Sequence, residues 1–246
     1  MRIGIIGMGY VGSAVYAGVK PDYRDNVMVH DKYKDIPDGY PLNSLKNNCS
    51  VIFICVSTPQ NKDGSIDASA VREVIKNLKD FNGTIILKST IVYNQIPKDL
   101  NIVCNPEFLD ERTSIQDFRN QDYIVLGGEI TESMKVAEMY LRYFRFNNPI
   151  NFEFCTVKEA SDFKYIRNVY SAYKVLFWNF VHEISDSRKM SEMLKRIPIS
   201  EMSVVGMDGE LGYDGACLPK DVNALNAEHQ HELTKFMKEY NDKLND

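Results

Sequence analysis

Arg2-Ile3-Gly4-Ile5-Ile6-Gly7-Met8-Gly9-Tyr10-Val11-Gly12 decides the fold of this chain. Its first half is a short apolar run of strand character. Its second half is a G-x-G-x-x-G turn that opens a helical stretch, 13–19, ending near Pro21. The glycine pattern alone is a weak signal, and its place between a strand and a helix makes it a strong one. Gly7 permits a tight turn, Gly9 lets the main chain approach a ligand, and Gly12 allows the helix to lie close to the strand. The helix N-terminus then offers unpaired N–H groups and a partial positive charge, which suit a pyrophosphate. A second apolar run, Val27-Met28-Val29-His30-Asp31, sets an acid at a strand end about 20 residues beyond the glycines. There it can accept ribose hydroxyls and repel a 2′-phosphate. These residues predict a site that holds NAD in preference to NADP, with Lys34 near enough to moderate that preference.

Outward from this unit, strand and helix patterns alternate. Strands are expected at 2–6, 27–31, 51–56, 84–87, 101–104, 123–126 and 150–154. Asp67 reads as the N-cap of a helix whose buried stripe is Val71, Val74, Ile75 and Leu78. A polar loop is expected over 105–121 and a helix over 131–144. The alternation predicts an α/β fold. Residues 1–155 form an N-terminal Rossmann domain, a doubly wound, mostly parallel sheet. Residues 156–246 form a long helix followed by a small helical domain. Thr156 is its expected N-cap, with Glu159 completing a capping box. From there to about Arg188 no Gly or Pro interrupts the pattern. Phe163, Ile166, Tyr170, Tyr173, Phe177, Phe180, Val181 and Ile184 recur every three or four residues. A helix of about 45 Å at 1.5 Å per residue outruns one small domain, so a homodimer through this helix is expected. Residues 206–219 read as a loop, Asp221 as the start of further helix, and 235–246 as a charged tail.

With 246 residues the chain can bury a sizeable core without staples. A net charge of −5 gives no broad electrostatic case for nucleic acid or an anionic membrane as partner. The five cysteines, Cys49, Cys55, Cys104, Cys155 and Cys217, are odd in number and lack CxxC spacing, which speaks against a disulfide framework or a metal site. Cys55 and Cys104 fall in apolar runs and read as small buried hydrophobes. The N-terminus does not read as a signal peptide, and no apolar stretch approaches the roughly 20 residues of a membrane span, so a cytoplasmic setting is expected. His182, His229 and His231 have no partner pattern and read as surface residues; His30 reads as structural.

A second informative segment is Gly212-Tyr213-Asp214-Gly215-Ala216-Cys217-Leu218-Pro219-Lys220-Asp221. A cysteine in a glycine-rich loop, beside a lysine and before a helix, is placed where a thiolate is favoured. Such a cysteine is as readily a structural bystander. Lys164 and Asn168 are one helical turn apart and share a face.

Taken in order, the N-terminal glycine loop, Val56-Ser57-Thr58-Pro59 with Gly64 and Asp67, Lys88-Ser89-Thr90, Asn105-Pro106-Glu107-Phe108-Leu109-Asp110-Glu111, Lys164 with Asn168, and the cysteine loop resemble the signatures of the UDP-glucose/GDP-mannose dehydrogenase family. The resemblance implies oxidation of a primary alcohol on a nucleotide sugar to a carboxylate with two NAD. Cys217 would be the nucleophile, forming a thiohemiacetal and then a thioester. Lys164 and Asn168 would stabilise the oxyanion. Thr90 and Asp221 would order a water for proton transfer, unless Asp221 is only a helix N-cap. Glu107, ahead of Glu111, would assist hydrolysis of the thioester. The cofactor contacts so implied are Gly7, Gly9, Tyr10, Val11, Gly12, Asp31, Lys34, Val56, Thr58 and Thr90.

The chain also departs from the pattern. Members of the family are longer and carry a further Rossmann-like domain for the sugar's nucleotide, which is not expected in these 246 residues. Asp214 replaces the first of two paired glycines, and Lys174 stands for an arginine. UDP-glucose is the expected substrate because Pro-Glu-Phe-Leu-x-Glu resembles the glucose and mannose branches, with GDP-mannose as runner-up. One alternative is a dimeric NAD-binding module with little turnover. Another is a hydroxyacid dehydrogenase, which leaves Cys217 unexplained.

Overall fold

Strands that are apolar on both faces need a helical layer on each side, and the first part of this chain supplies both. The computed structural model describes residues 1–98, 100–185, 192, 210–230 and 232–245. In order come β1 (Ile3–Ile6), α1 (Tyr10–Gly18), β2 (Val27–His30), α2 (Leu42–Asn48), β3 (Val51–Ile54), α3 (Ser69–Asn77), β4 (Thr84–Leu87) and β5 (Ile102–Cys104). Then follow α4 (Ser114–Asn120), β6 (Tyr123–Gly127), α5 (Ile130–Tyr143), β7 (Asn151–Cys155), α6 (Val157–Ser185), α7 (Leu218–His229) and α8 (Glu232–Asn245).

The strands make one sheet in the order β2-β1-β3-β4-β5-β6-β7. β1 to β5 run parallel. β6 meets β5 antiparallel through Cys104 and Gly127, and β7 runs parallel to β6. All seven expected strands are present, with ends shifted by a residue or two. Alternate residues of each strand feed opposite faces. Ile3, Ile5, Phe53 and Ile86 pack with Val15, Phe118, Tyr140 and Phe144 on one side. Ile6, Ile52, Ile54, Ile85 and Leu87 pack with Val71, Ile75 and Leu78 on the other. Cys55 and Cys104 are buried among them, and burial pushes both thiols up to about 12. His30 is structural, as expected: its Nδ1 bonds the Tyr40 carbonyl oxygen at 2.8 Å.

Two short helices were not expected. α2 is seven residues long, and α4 sits inside the polar stretch read as loop. α4 exists because one residue gives it a core face. Phe118 is fully buried, stacked near Phe146 and so close to Gly18 that a Cβ there would lie 2.2 Å from its ring. Asp117 Oδ2 accepts from the Thr113 hydroxyl at 2.7 Å and from the Asp110 N–H at 2.9 Å, closing the first turn. The expected N-cap of α3 is corrected: the cap is Ala68, with no side-chain hydrogen bond. Asp67 instead spends its N–H on the Pro59 carbonyl at 2.7 Å, closing an excursion that a Gln60–Ile66 bridge holds together.

The chain divides into two units, residues 1–58 with 68–164 and residues 59–67 with 165–246. The division falls within α6. Its start carries the expected capping box: Thr156 donates its N–H to Glu159 Oε2 at 2.8 Å, and Thr156 Oγ1 accepts the Glu159 N–H at 3.2 Å. Phe163, Ile166, Tyr170 and Tyr173 are exposed along this helix. Arg188, the side chains of Phe177, Phe180, Val181 and Ile184, and those of His182, His229 and His231 lie outside the described residues, as do residues 206–209. In the second unit Ala172, Leu176, Tyr213, Val222 and Met237 form the core. Further helix begins at Leu218, and α8 takes up most of the charged tail. Among the described residues no helix is long and apolar enough to cross a membrane.

One carboxylate clips the first turn of α5 to the sheet. Glu132 Oε2 accepts from the Thr84 hydroxyl at 2.8 Å and Oε1 from Lys135 Nζ at 2.5 Å. Hydrogen bonds from Lys135, Asn101 and Thr84 outweigh its burial and hold its carboxyl down at about 2. Its unfolded value is about 4.3, so the stabilisation is complete above that pH and is lost as pH falls towards 2. Glu132→Gln should cost about 1 kcal/mol in urea unfolding at pH 6. That difference from wild type should shrink steadily between about pH 4 and pH 2. A difference independent of pH would show that the clip acts by packing alone.

Candidate active site

The loop between β1 and α1 is built by steric necessity. Gly7 has φ +90°, and a Cβ there would lie 2.7 Å from the Cys55 carbonyl oxygen. A Cβ on Gly12 would lie 1.9 Å from the Gly7 carbonyl oxygen. A Cβ on Gly9 would meet nothing within 4 Å, which is the open cradle a ligand's close approach requires. Tyr10 begins α1, and Gly9, its N-cap, has no side chain to occupy the helix's first N–H groups.

Asp31 closes the other side of this cradle. Its Oδ2 accepts the Met8 N–H at 2.6 Å, and its Oδ1 accepts the N–H groups of Tyr33 and Lys34 at 2.9 and 3.1 Å. Lys34 Nζ donates to the Met8 carbonyl at 2.6 Å. Burial would raise the Asp31 carboxyl, but these three N–H groups and the Lys34 charge hold it below the ordinary range. Past β3 and β4, the Thr58 hydroxyl donates to the Thr90 carbonyl at 2.8 Å, and the Ser89 hydroxyl donates to the Val56 carbonyl at 2.7 Å. The segments carrying Val56, Thr58 and Thr90 are thus stitched together at the carboxyl edge of the sheet, where Gly7 to Gly12 also lie.

Farther along that edge a charged cluster is buried. Glu107 and Lys164 are each 6% exposed. Lys164 Nζ donates to Glu107 Oε1 at 3.0 Å and to its carbonyl oxygen at 2.7 Å, and it lies 5.7 Å from the Phe108 ring centroid. The Leu109 N–H donates to Glu107 Oε2 at 2.7 Å. Burial by itself would raise the Glu107 carboxyl. The Lys164 charge and hydrogen bond, the Leu109 N–H and the Lys88 charge overcome it and hold the group below the usual range. Glu111 lies apart from this cluster, exposed in a turn.

In the second unit Asn168 and Asp221 are buried, and Asn168 Nδ2 donates to Asp221 Oδ2. Lys220 Nζ pairs with Asp221 Oδ1 at 3.2 Å. Cys217, half-buried, is the N-cap of α7, with Pro219 in the first turn behind it. Its carbonyl accepts the Asp221 N–H at 2.9 Å. The alternative of Asp221 as N-cap is therefore corrected: it sits inside the first turn, because the chain enters the helix at Leu218. Asp214 is half-buried in the preceding loop. The residues called together from sequence thus fall into two groups, Thr90, Glu107 and Lys164 in the first unit and Asn168, Cys217 and Asp221 in the second.

Sequence reading gave no role to Lys88, Asn105 or Tyr140. Lys88 Nζ donates to Asn105 Oδ1 at 3.0 Å, and the Tyr140 hydroxyl donates to the same oxygen at 2.6 Å. The available signal was a lysine placed directly after four buried strand residues, Thr84 to Leu87.

Residues 41–145 match the UDP-glucose/GDP-mannose dehydrogenase family, NAD-binding domain. The chain is 32% identical over 210 residues to the UDP-glucose 6-dehydrogenase of Rhizobium meliloti, covering 71% of this chain and 45% of that one. It is 28% identical over 202 residues to the GDP-mannose 6-dehydrogenase of Pseudomonas aeruginosa, again 71% and 45%. The fold is similar to that of a UDP-glucose dehydrogenase from Pyrobaculum islandicum, with a TM-score of 0.76 and 20% identity over 97% of this chain and 68% of that one. The chain spans less than two thirds of the length of the curated relatives it matches. It resembles this family over its described parts, and the cofactor read from the glycine loop, NAD, is the one the matched domain binds.

Gly9 and Gly12 should separate folding from binding. Gly9→Val should cost no more than about 1 kcal/mol of stability, the loss of a favourable N-cap, since its side chain enters open space, and should weaken NAD binding by tenfold or more. Gly12→Val should instead destabilise the fold by about 3 kcal/mol or more through its collision with Gly7. Calorimetric titration with NAD and a thermal melt on each variant check both; equal melts would refute the division.

Proposed function

We propose that this relative of the UDP-glucose/GDP-mannose dehydrogenases oxidises the primary alcohol of a nucleotide sugar to a carboxylate, with UDP-glucose as the leading substrate and GDP-mannose as the runner-up. The observation that carries the reading is the buried Lys164–Glu107 pair on the same sheet edge as the NAD cradle. Desolvating such a pair costs several kcal/mol per ion, and buried, charge-tuned groups at a sheet edge mark candidate sites of chemistry.

The roles follow from the chemistry of the groups. NAD, when bound, takes up the hydride released in each of two oxidations. The first oxidation removes a proton from the alcohol, and a water ordered by Thr90 and Asp221 relays it. The Cys217 thiolate then adds to the aldehyde carbon, giving a thiohemiacetal whose alkoxide can expel the second hydride and leave a thioester. The sulfur stands at the N-cap of α7 and is only half-buried, so a substrate carbon can reach it. Lys164 spends two of its three donors on Glu107, which leaves one for a substrate oxyanion, and the Asn168 amide adds a second donor. Glu107, held as a carboxylate, accepts a proton from the water that cleaves the thioester. Glu111, exposed, serves substrate contact. Tyr10, Val11, Asp31 and Lys34 belong to the adenosine half of the NAD site, and Val56, Thr58 and Thr90 to its continuation.

Ile166, Tyr170 and Tyr173, each about half exposed on α6, support pairing with a second copy of the chain. The same NAD cradle and exposed α6 side chains also fit a second reading, a dimeric NAD-binding module with little turnover.

Incubation with NAD and a panel of nucleotide sugars should yield two NADH per molecule of UDP-glucose consumed. Cys217→Ala should lower that rate more than about a hundredfold while NAD binds as before. NAD binding with no NADH from any sugar would support the module instead.

A further inference from the structure

Lys88 is 4% exposed, and its ammonium meets neutral acceptors: Asn105 Oδ1 at 3.0 Å and the Asn105 carbonyl at 3.3 Å. A buried cation is costly unless it serves a charge nearby. The neighbouring residues show which charge that is. Asn105 is itself buried and held from every side. Its N–H donates to the Leu87 carbonyl at 2.9 Å, its Nδ2 donates to the Val125 carbonyl at 2.9 Å, and its Oδ1 takes the Tyr140 hydroxyl at 2.6 Å as well as Lys88. Asn105 therefore ties the ends of β4 and β5 to the middle of β6 and to α5. Only Pro106 separates it from Glu107, so whatever fixes Asn105 fixes where the carboxylate chain leaves the sheet.

The groups around this point come from each packed element. Cys55 after β3 and Cys104 on β5 are thiols raised to about 12 and so neutral, and the Tyr140 phenol on α5 is raised further by burial. Among the described residues, the charges that face Glu107 are those of Lys164 on α6 and Lys88. We propose that Lys88 is the positioning residue for Glu107: through Asn105 it fixes the segment that carries the carboxylate, and it stands behind that carboxylate as a second positive charge. Burial draws the Lys88 ammonium below the ordinary lysine range, and Glu107 in turn favours its charged form, as reciprocal partners must. The role rests on the proposed dehydrogenase reading for its purpose, but the electrostatic link does not need turnover to be seen.

The experiment labels the glutamate side-chain carboxyls with 13C and follows the Glu107 resonance, identified by its loss in Glu107→Gln, from pH 3 to pH 9. In Lys88→Met the Glu107 midpoint should rise by about one pH unit, a tenfold change in its ionisation constant, with NAD affinity unchanged. Lys88→Gln keeps a donor for Asn105 and removes only the charge; it should show the same direction of shift and a smaller loss of rate. Where NADH is formed, Lys88→Met should lower kcat without raising KM for NAD. In a Glu107→Gln background it should cost nothing further, because the two act as one unit. An unmoved Glu107 midpoint, additive effects of the two changes, or failure of both Lys88 variants to fold would overturn the proposal. A wild-type protein that forms no NADH would count against the dehydrogenase reading alone, and the titration would still judge Lys88.

Discussion

Two charges taken out of water must satisfy each other, or the fold cannot hold them, and the Lys164–Glu107 pair meets that condition. Glu107 receives Lys164 on one oxygen and the Leu109 N–H on the other; Lys164 also takes the Glu107 carbonyl and lies against the Phe108 ring. Removal of either partner would strand a buried ion, a loss of about 3–5 kcal/mol. The pair therefore fixes the geometry between α6 and the segment after β5. It also explains why a polar stretch in the sequence is not a free loop. Its near end is tied down by Glu107, and its far end becomes α4 by burying Phe118.

The strands were legible because each is a short apolar run whose length, flanking glycines and spacing leave little choice. Ile3–Ile6, Thr84–Leu87 and Tyr123–Gly127 read directly, and so did the Thr156–Glu159 box that starts α6. The reversal at β6 did not, since direction is set by a single Cys104–Gly127 pairing that leaves no mark on hydrophobic pattern. α2 and α4 are seven residues each, too short for helical periodicity to rise above noise. Asp67 is not the cap because the helix begins one residue later than the sequence suggests, at Ser69 after Ala68, while Asp67 still belongs to the turn closed on Pro59. Of the site, the glycines and Asp31 were legible from spacing and Glu107 from resemblance. The joint placement of Lys88 and Tyr140 became visible only once β4, β5, β6 and α5 met at Asn105.

The coenzyme cradle shows how one carboxylate can serve folding and binding. Asp31 accepts three main-chain N–H groups, which draws the end of β2 onto the glycine loop. Those bonds hold it ionised, the form that accepts ribose hydroxyls and repels a phosphate. Lys34 anchors to the Met8 carbonyl and so keeps its positive charge beside the loop. In the proposed NAD site, discrimination against NADP would then be a balance between a fixed negative charge and a nearby positive one, with geometry set by the main chain.

Position within the fold, more than residue type, separates the cysteines of this chain. Cys55 and Cys104 sit in the sheet, where burial raises each thiol to about 12 and leaves it inert at neutral pH. Cys49 is raised to about 11 and is the C-cap of α2, where the helix dipole opposes a thiolate. Cys217 occupies the opposite end of a helix, the N-cap of the 12-residue α7, and is only half-buried. That placement, half-buried at the start of a helix rather than inside the core, is the physical reason the proposed covalent chemistry falls to Cys217 rather than to Cys49, Cys55 or Cys104.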